Sequence, residues 1–345
     1  MPGKKKVPAL SSPAGRLRLN LMALLSGKDE IGGNRPEHPC PFPMIRNTLS
    51  LTVDIEDWYH IPSVTGSPFS VYRDTEEFFS VWSGRYDYLT VPAAALLALL
   101  DANGITATFF VVGEVAERYP GLVERIVEGG HEIACHGLHH GCKIDPLTKR
   151  PLIDPQEFER RTERARSLLG HLAREPVTGY RAPNALVGGW MVDSLERLGF
   201  RYDSSVSANS LYNKTDSALT GVNTVPYYPG PGGLEPGGPR GIVEFPFARW
   251  DIAGLRIPAS GGPLLRFLGA GIMARGLLQS LRRGHTVFYI HPLDLATERF
   301  PEVGRGRPFY WLIKGSMVER RFRAILTRLK DVRTIPLREA REALP

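Results

Sequence analysis

The sequence is short of cysteine and has no long apolar run, and these two shortages narrow the classes of protein that it could encode. Its 345 residues include three cysteines, Cys40, Cys135 and Cys142, which cannot all pair and form no Cys-x-x-Cys motif. A disulfide framework is therefore excluded, and a reducing compartment fits best. No run approaches the roughly 18 apolar residues of a membrane span. Because the apolar segment Leu17–Leu25 is interrupted and lacks a cleavage site, it does not resemble a secretion signal, and we expect a cytoplasmic protein.

The charge balance is basic, with a formal net charge of +7 and a pI near 9.4. Such an excess suits an anionic partner, for example a phosphorylated or uronic-acid glycan, a lipid surface or a nucleic acid. Much of it lies in Lys4–Lys6 and Arg320–Arg341, where charges commonly only solvate a tail or a helix face. The sequence has no zinc finger, basic helix-turn-helix or interleaved aromatic and basic platform. We therefore expect no nucleic-acid partner, whereas peripheral membrane contact and the oligomeric state stay open.

The composition and the element pattern predict one large α/β domain. With 42% hydrophobic residues the chain can bury a full core, and strand-like and helix-like segments alternate along it. We place the domain at residues 49–345, after a basic and partly disordered extension at residues 1–48. Residues 207–241 are rich in Gly and Pro and predict a long insertion loop. This loop either shapes a binding cleft or is a mobile excursion.

Three acidic residues follow the first predicted strand, Leu49–Val53. They are Asp54, Glu56 and Asp57, and they stand at the carboxyl end of the strand, where α/β barrels keep their active sites. An acid at a strand end can also be a helix cap or an ion-pair partner. Like charges this close together favour a bound cation.

A pair of histidines supplies further candidate metal ligands. His136 follows the predicted strand Glu132–Cys135, and the four-residue spacing to His140 can place both imidazoles on one face of a helical turn, with His139 pointing elsewhere. A carboxylate with two imidazoles suits zinc first, with iron, cobalt or nickel as alternatives, and leaves positions open for water and substrate. The competing interpretation is a chance cluster of histidines in a surface turn.

Seven short motifs occur in a fixed order between about residues 49 and 300. They are LTVDIEDW from residue 51, ATFFV from 107, GHEI from 130, HGLHH from 136, YRAP from 180, YDSS from 202 and IHP from 290. The ordered set resembles the polysaccharide deacetylases of carbohydrate esterase family four, and most closely the bacterial exosortase-associated kind. Each motif is weak alone, and their combination is specific.

The resemblance implies a distorted (β/α) barrel, one divalent metal and hydrolysis of N-acetyl groups on amino sugars of a polysaccharide or its lipid-linked precursor, as in exopolysaccharide biosynthesis. It also implies residue roles. Asp54 matches the catalytic base, Arg181 the arginine that orients this base, and His291 the general acid. His136 and His140 match the two metal histidines. Two alternatives remain. The same barrel could hydrolyse a cyclic amide or a formyl group, or the protein could bind glycans without hydrolysing them.

One departure from the family pattern leaves the metal carboxylate open. The usual base and ligand are adjacent aspartates, whereas here Ile55 follows Asp54. Strand alternation puts Glu56 on the same side as Asp54. Asp57 is slightly favoured, because its shorter side chain resembles the usual ligand.

Four further residues have two interpretations each. His131 precedes its strand and favours turn packing over catalysis. Asp203 either orients His291 or caps the turn before Ser204 and Ser205. Trp58 and Tyr59 form either a sugar-stacking wall or part of the core.

Overall fold

The computed structural model describes residues 45–303 and 312–345, which lie in one compact unit, Pro39–Pro345. Most of the predicted extension, including Leu17–Leu25 and Cys40, lies outside the described residues.

Eight of the ten described strands form a single parallel sheet. Its order is β10-β1-β2-β3-β4-β5-β6, with β9 also paired to β1, while β7 and β8 form a separate antiparallel hairpin. The strands are β1 Thr48–Ile55, β2 Thr108–Val111, β3 Glu132–Cys135, β4 Gly179–Tyr180, β5 Tyr202–Asp203, β6 Val243–Glu244, β7 Arg249–Ile252, β8 Leu255–Pro258, β9 Thr286–Ile290 and β10 Arg333–Thr334.

The sheet closes on itself just after its sixth strand. Phe247 pairs with Val287 of β9 in a parallel bridge, and the amide of Ala248 donates to the carbonyl of Val287 at 3.1 Å. Since β9 also pairs with β1, the two ends of the strand series meet in a distorted barrel. The carboxyl ends of its parallel strands therefore open on one face.

Helices connect most of the strands, and none of those described is both long enough and apolar enough to cross a membrane. They are α1 Thr75–Val81, α2 Thr90–Asp101, α3 Gly113–Arg118, α4 Leu122–Glu128, α5 Pro155–Ala173, α6 Gly189–Arg197, α7 Gly262–Arg283, α8 Pro292–Leu295, α9 Ser316–Arg328 and α10 Leu337–Glu342.

Helix α5 shows how the local sequence produces an element. The Asp154 side chain accepts the amide hydrogen of Glu157 at 2.8 Å, and Pro155 occupies the first turn, where its missing amide hydrogen costs nothing. Phe158, Ala165 and Leu169 recur at helical spacing and are fully buried. The helix therefore presents one apolar face to the barrel.

The stretch 207–241 contains no helix or strand, but it is packed. Thr215, Thr224 and Leu234 are at most 2% exposed. This packing favours the first of the two interpretations of the loop. Helix α1 and the β7–β8 hairpin were not predicted, since both are short and lack a marked periodicity.

Candidate active site

The residues singled out by the motifs meet at the carboxyl ends of the strands. Asp54 is the penultimate residue of β1. His136, Arg181 and His291 directly follow β3, β4 and β9. All four line one cavity of about 150 Å³. Because parallel strands end on the same face, these four residues share one cavity although they lie up to 237 positions apart in the sequence.

Glu56, His136 and His140 form a candidate metal centre. One ligand atom from each lies within 4.8 Å of the others. The Nδ1 atom of His136 is 2.8 Å from the carbonyl oxygen of Arg181, and that of His140 is 3.1 Å from the carbonyl oxygen of His60. Each Nδ1 atom therefore carries the proton, which leaves the Nε2 lone pairs free to bind a metal.

The protonation states of this cluster suit a cation. Burial lowers the pKa of His136 to about 4, so its imidazole is neutral at pH 7. Burial opposes ionisation of Glu56, but His140 and His291 outweigh it and hold the pKa of Glu56 well below its ordinary value. The Nε2 atom of His140 lies 2.5 Å from Oε2 of Glu56. A carboxylate and two imidazoles in such contact fit a divalent metal.

Asp57, which the sequence slightly favoured as the ligand, lies away from this cluster. It is fully buried and caps the 3-10 turn Trp58–His60, accepting the amide hydrogen of Trp58 at 2.8 Å and the hydroxyl hydrogen of Tyr119. Burial raises the pKa of Asp57 to about 7. The carboxylate of Asp57 is thus committed to the turn and to Tyr119, whereas Glu56 supplies the carboxylate of the cluster, on the side that strand alternation indicates.

The segment that carries the two histidines is a loop rather than the predicted helical turn. Gly137 has a φ of 83°, which only glycine adopts readily, and directs the chain away from β3. Buried Lys143 donates to the carbonyl oxygens of His139 and Gly141, at 3.1 and 2.7 Å. These bonds on both sides of His140 hold the loop that presents it.

Arg181 orients Asp54. Its Nη1 atom donates to Oδ1 of Asp54 at 2.6 Å, and its Nε and Nη2 atoms donate to Ser204, at 2.7 Å to the carbonyl and 2.8 Å to the hydroxyl. The guanidinium is 1% exposed and lies over the ring of Phe110 at 4.0 Å. With one carboxylate oxygen held in this way, Oδ2 of Asp54 faces the cavity.

His291 is held by an acid that the sequence analysis missed. The Nδ1 atom of His291 lies 3.2 Å from Oδ2 of Asp294, and Asp294 pairs with Arg266. The Nε2 atom points into the cavity, 3.2 Å from Glu56 and 3.9 Å from Asp54. Burial opposes protonation, but these three carboxylates raise the pKa of His291 to about 9. The only sequence signal for Asp294 was its position three residues after His291.

The structure also places the remaining candidates. His131 accepts the amide hydrogen of Ala107 at 3.2 Å, outside the cavity. Asp203 accepts the hydroxyl hydrogen of Ser205 at 2.7 Å rather than contacting His291. Trp58 and Tyr59 are fully buried, so they belong to the core.

Comparison with known families agrees with this geometry. Residues 87–202 match the family model described as polysaccharide deacetylase. Across these residues the chain is similar to the polysaccharide deacetylases. The match contains His136, His140 and Arg181, while Asp54 and Glu56 precede it. His291 lies in a second match, residues 217–337, to a domain of unknown function, DUF3473.

Two curated relatives align with parts of this chain. The peptidoglycan deacetylase-like protein FGM2 of Gibberella zeae is 36% identical over 133 residues, which are 37% of the chain and 35% of that protein. The peptidoglycan-N-acetylglucosamine deacetylase of Bacillus cereus is 26% identical over 146 residues, 38% of the chain and 50% of that protein. The chain thus spans about a third to a half of the length of these relatives.

Solved structures establish the deacetylase fold over most of the chain. A protein of Mycobacterium smegmatis assigned to the polysaccharide deacetylases superposes with a TM-score of 0.57 at 20% identity, covering 90% of this chain and 94% of that one. A similarly assigned protein of Pseudomonas aeruginosa gives a TM-score of 0.55 at 14% identity, with coverage of 92% and 97%. The predicted distorted barrel is confirmed.

Proposed function

We propose that the protein is a metal-dependent hydrolase that removes N-acetyl groups from amino sugars of a polysaccharide or of its lipid-linked precursor. One observation carries the proposal: an aspartate held by an arginine, a cluster of two histidines and a carboxylate, and a histidine held by an aspartate surround a single cavity. Similarity to the polysaccharide deacetylases supports the reaction class. The two curated relatives, both described by peptidoglycan deacetylation, support an N-acetylated glycan as substrate.

Glu56, His136 and His140 would hold one divalent cation, with zinc as the first choice and iron, cobalt or nickel as alternatives. When bound, such a cation polarises an amide carbonyl and lowers the pKa of a coordinated water. The hydrogen bonds from both Nδ1 atoms to backbone carbonyls orient the rings for this task before any ligand arrives.

Asp54 is the general base in this proposal. Because Arg181 occupies Oδ1, Oδ2 remains to accept a proton from the attacking water. Arg181 is in turn fixed by Ser204 and by the hydroxyl of Thr52, at 2.9 Å from its Nη1 atom. The orientation of the base is therefore set by buried contacts rather than by the substrate.

His291 is the general acid. Asp294 holds its Nδ1 side, and its Nε2–H faces the position where the amide nitrogen must leave. Burial opposes protonation of His291, but Glu56, Asp294 and Asp54 raise its pKa and so favour the protonated imidazole that a general acid requires. As the C–N bond breaks, His291 gives its proton to the amine, while Asp54 retains the proton from water.

The test is acetate release from N-acetylglucosamine oligomers by metal-replete protein, chelated protein and the His136→Ala variant. We expect release only from the replete wild type. His139→Ala is a matched control from the same loop, since His139 contacts Glu114 at 3.0 Å rather than the cluster, and it should keep metal-dependent release. If the protein binds one metal but releases no acetate, the bond that it hydrolyses is better sought in a cyclic amide or a formyl group. A protein that only binds glycans is disfavoured, because Asp54 and His291 are both present and oriented.

We further propose that the enzyme works in the cytoplasm at the inner membrane face, on an exopolysaccharide precursor. The net charge of +7 supports attraction to an anionic surface. Co-sedimentation with phosphatidylglycerol vesicles, and its loss at 0.5 M salt, would support this location. Equal recovery in the supernatant with and without vesicles would contradict it.

A further inference from the structure

Lys214 brings a cation from the 207–241 loop into the candidate active site. It lines the same cavity as Asp54 and His291. Its Nζ atom donates to the carbonyl oxygen of Asn184 at 2.9 Å and lies 5.4 Å from the ring centre of Tyr212. Among the described residues no carboxylate lies within ion-pair distance of this ammonium. Since an ammonium has three N–H groups, it has donors left for a ligand.

The backbone around Lys214 is held firmly. Thr215 forms a bridge with Val187, and the Asp216 carboxylate accepts the amide hydrogen of Gly189 at 3.1 Å, at the start of α6. Asn184, the partner of the ammonium, has a φ of 60°, a left-handed conformation uncommon outside glycine. Residues held in such conformations cluster at ligand sites. Lys214 is therefore presented by a segment whose next two residues are held against the chain around α6.

The charges of the cavity leave Lys214 without an acidic partner once a metal is bound. Three carboxylates, those of Asp54, Glu56 and Asp294, line it together with Arg181, Arg266, Lys214 and His291. Arg181 pairs with Asp54, and Asp294 pairs with both Arg266 and His291. The remaining carboxylate, Glu56, belongs to the metal cluster. A bound divalent cation then gives the cavity an excess of positive charge, which attracts anions.

We infer that Lys214 binds an anionic oxygen group, a carboxylate or a phosphate, that the substrate carries near the N-acetylated sugar. The substrate class is then an acidic amino-sugar glycan rather than a neutral one. This inference rests on the proposed function, because it takes the same cavity as the site of deacetylation.

The test compares three probes in wild-type, Lys214→Met and Lys314→Met protein loaded with zinc. Chitotetraose is neutral, a hyaluronan tetrasaccharide carries carboxylates, and N-acetylglucosamine 1-phosphate carries a phosphate. Lys314 is the matched control, since it also donates to a backbone carbonyl, that of Ala296 at 2.7 Å, and lies 4.4 Å from the ring centre of Phe300, but it does not line the cavity. The measured quantity is kcat/KM for an acidic probe divided by kcat/KM for chitotetraose.

We expect Lys214→Met to lower this ratio about tenfold for at least one acidic probe, as loss of a charge-assisted hydrogen bond does, and Lys314→Met to leave it at the wild-type value. The probe that responds identifies carboxylate or phosphate. An unchanged ratio with both acidic probes would overturn the inference.

Binding separates this inference from the proposed function. If the wild type releases no acetate from any probe, the proposed function fails on these substrates, and calorimetric titration of zinc-loaded protein with the acidic probes still tests Lys214. Binding that weakens about tenfold in Lys214→Met supports the anion site. Equal binding by wild type and variant, or no binding by either, rejects it.

Discussion

Glu56 and Asp57 are neighbouring acids with different surroundings, so neutralising each should change a different property. Glu56→Gln removes the carboxylate from the metal cluster and should weaken zinc binding by more than the roughly 10–100-fold that outer contacts contribute. Asp57→Asn leaves the cluster intact but weakens a buried cap, and should lower the free energy of unfolding by about 1 kcal/mol. Competition with a zinc chelator and urea denaturation measure the two effects. The opposite pattern would restore Asp57 as the ligand.

Asp203 and Glu244 form a fully buried carboxyl pair whose protonation affects stability. Burial, with Asp203 beside it, holds the pKa of Glu244 well above its ordinary value, and burial raises the pKa of Asp203 to about 6. The folded protein thus keeps a proton that the unfolded chain releases above about pH 4.5. By linkage, the free energy of unfolding must fall as the pH rises above that value.

Glu244→Gln should remove this pH dependence. The amide can still donate to Asp203, and its oxygen can still accept the amide hydrogens of Ser205 and Val206, which lie 3.1 and 2.8 Å from Oε1. Relative to the variant, the wild type should lose up to about 1.4 kcal/mol per pH unit between pH 5 and 7. Urea denaturation at several pH values measures both slopes, and parallel slopes would contradict a shared proton. Glu244→Ala is the control. It should be less stable than the wild type at every pH, because the buried amides of Ser205 and Val206 lose their hydrogen-bond acceptor.

At the scale of elements, the two-residue strand β4 depends on glycine. A Cβ atom at Gly179 would overlap the ring of Tyr202 on β5, whose hydroxyl donates to buried Glu132 at 2.7 Å. Gly179→Ala should therefore cost about 3 kcal/mol or more, by combining overpacking with a lost buried hydrogen bond. It should also reduce acetate release, since Arg181 follows β4 directly.

The matched control for that substitution is Gly271→Ala in α7. A Cβ atom there meets no neighbouring atom, and in the helical turn that follows the non-helical Gly269 alanine is favoured over glycine by up to about 1 kcal/mol. The two Gly→Ala variants should therefore shift the urea midpoint in opposite directions. A Gly179→Ala protein as stable as the wild type would show that the sheet does not need the close approach of β4 and β5.

At the scale of the whole molecule, metal binding should stabilise the fold, because the ligands come from segments that unfolding separates. Zinc at 1,000 times its Kd should add about 4 kcal/mol to the free energy of unfolding. Thermal denaturation with and without zinc measures this gain as a rise in Tm. The gain should be absent in His136→Ala and present in His139→Ala. An equal rise in all three proteins would indicate zinc binding elsewhere.

The sequence by itself determined the strand-end chemistry. Each candidate residue stands at the end of a run whose pattern predicts a strand, and parallel strands end on one face. These residues are the acids at the end of β1, the histidine pair after β3, Arg181 after β4 and His291 after β9. Glu132–Cys135 matches its predicted bounds, since a buried β-prone run with clear ends carries a strong local signal. The positions of these candidates at strand ends could therefore be predicted from the local pattern, whereas the barrel and the residue roles were predicted from the family resemblance.

The tertiary structure alone decided which acid faces the histidines and what surrounds them. Glu56 and Asp57 are adjacent in the chain, and only the turn after β1 separates their directions. Lys214 enters the cavity from an irregular loop, and Asp294 holds His291 with the help of Arg266. For these partnerships the sequence held only weak signals, the alternation of β1 for Glu56 and the three-residue spacing of Asp294 from His291, because each partnership depends on chain segments that meet only when the barrel closes.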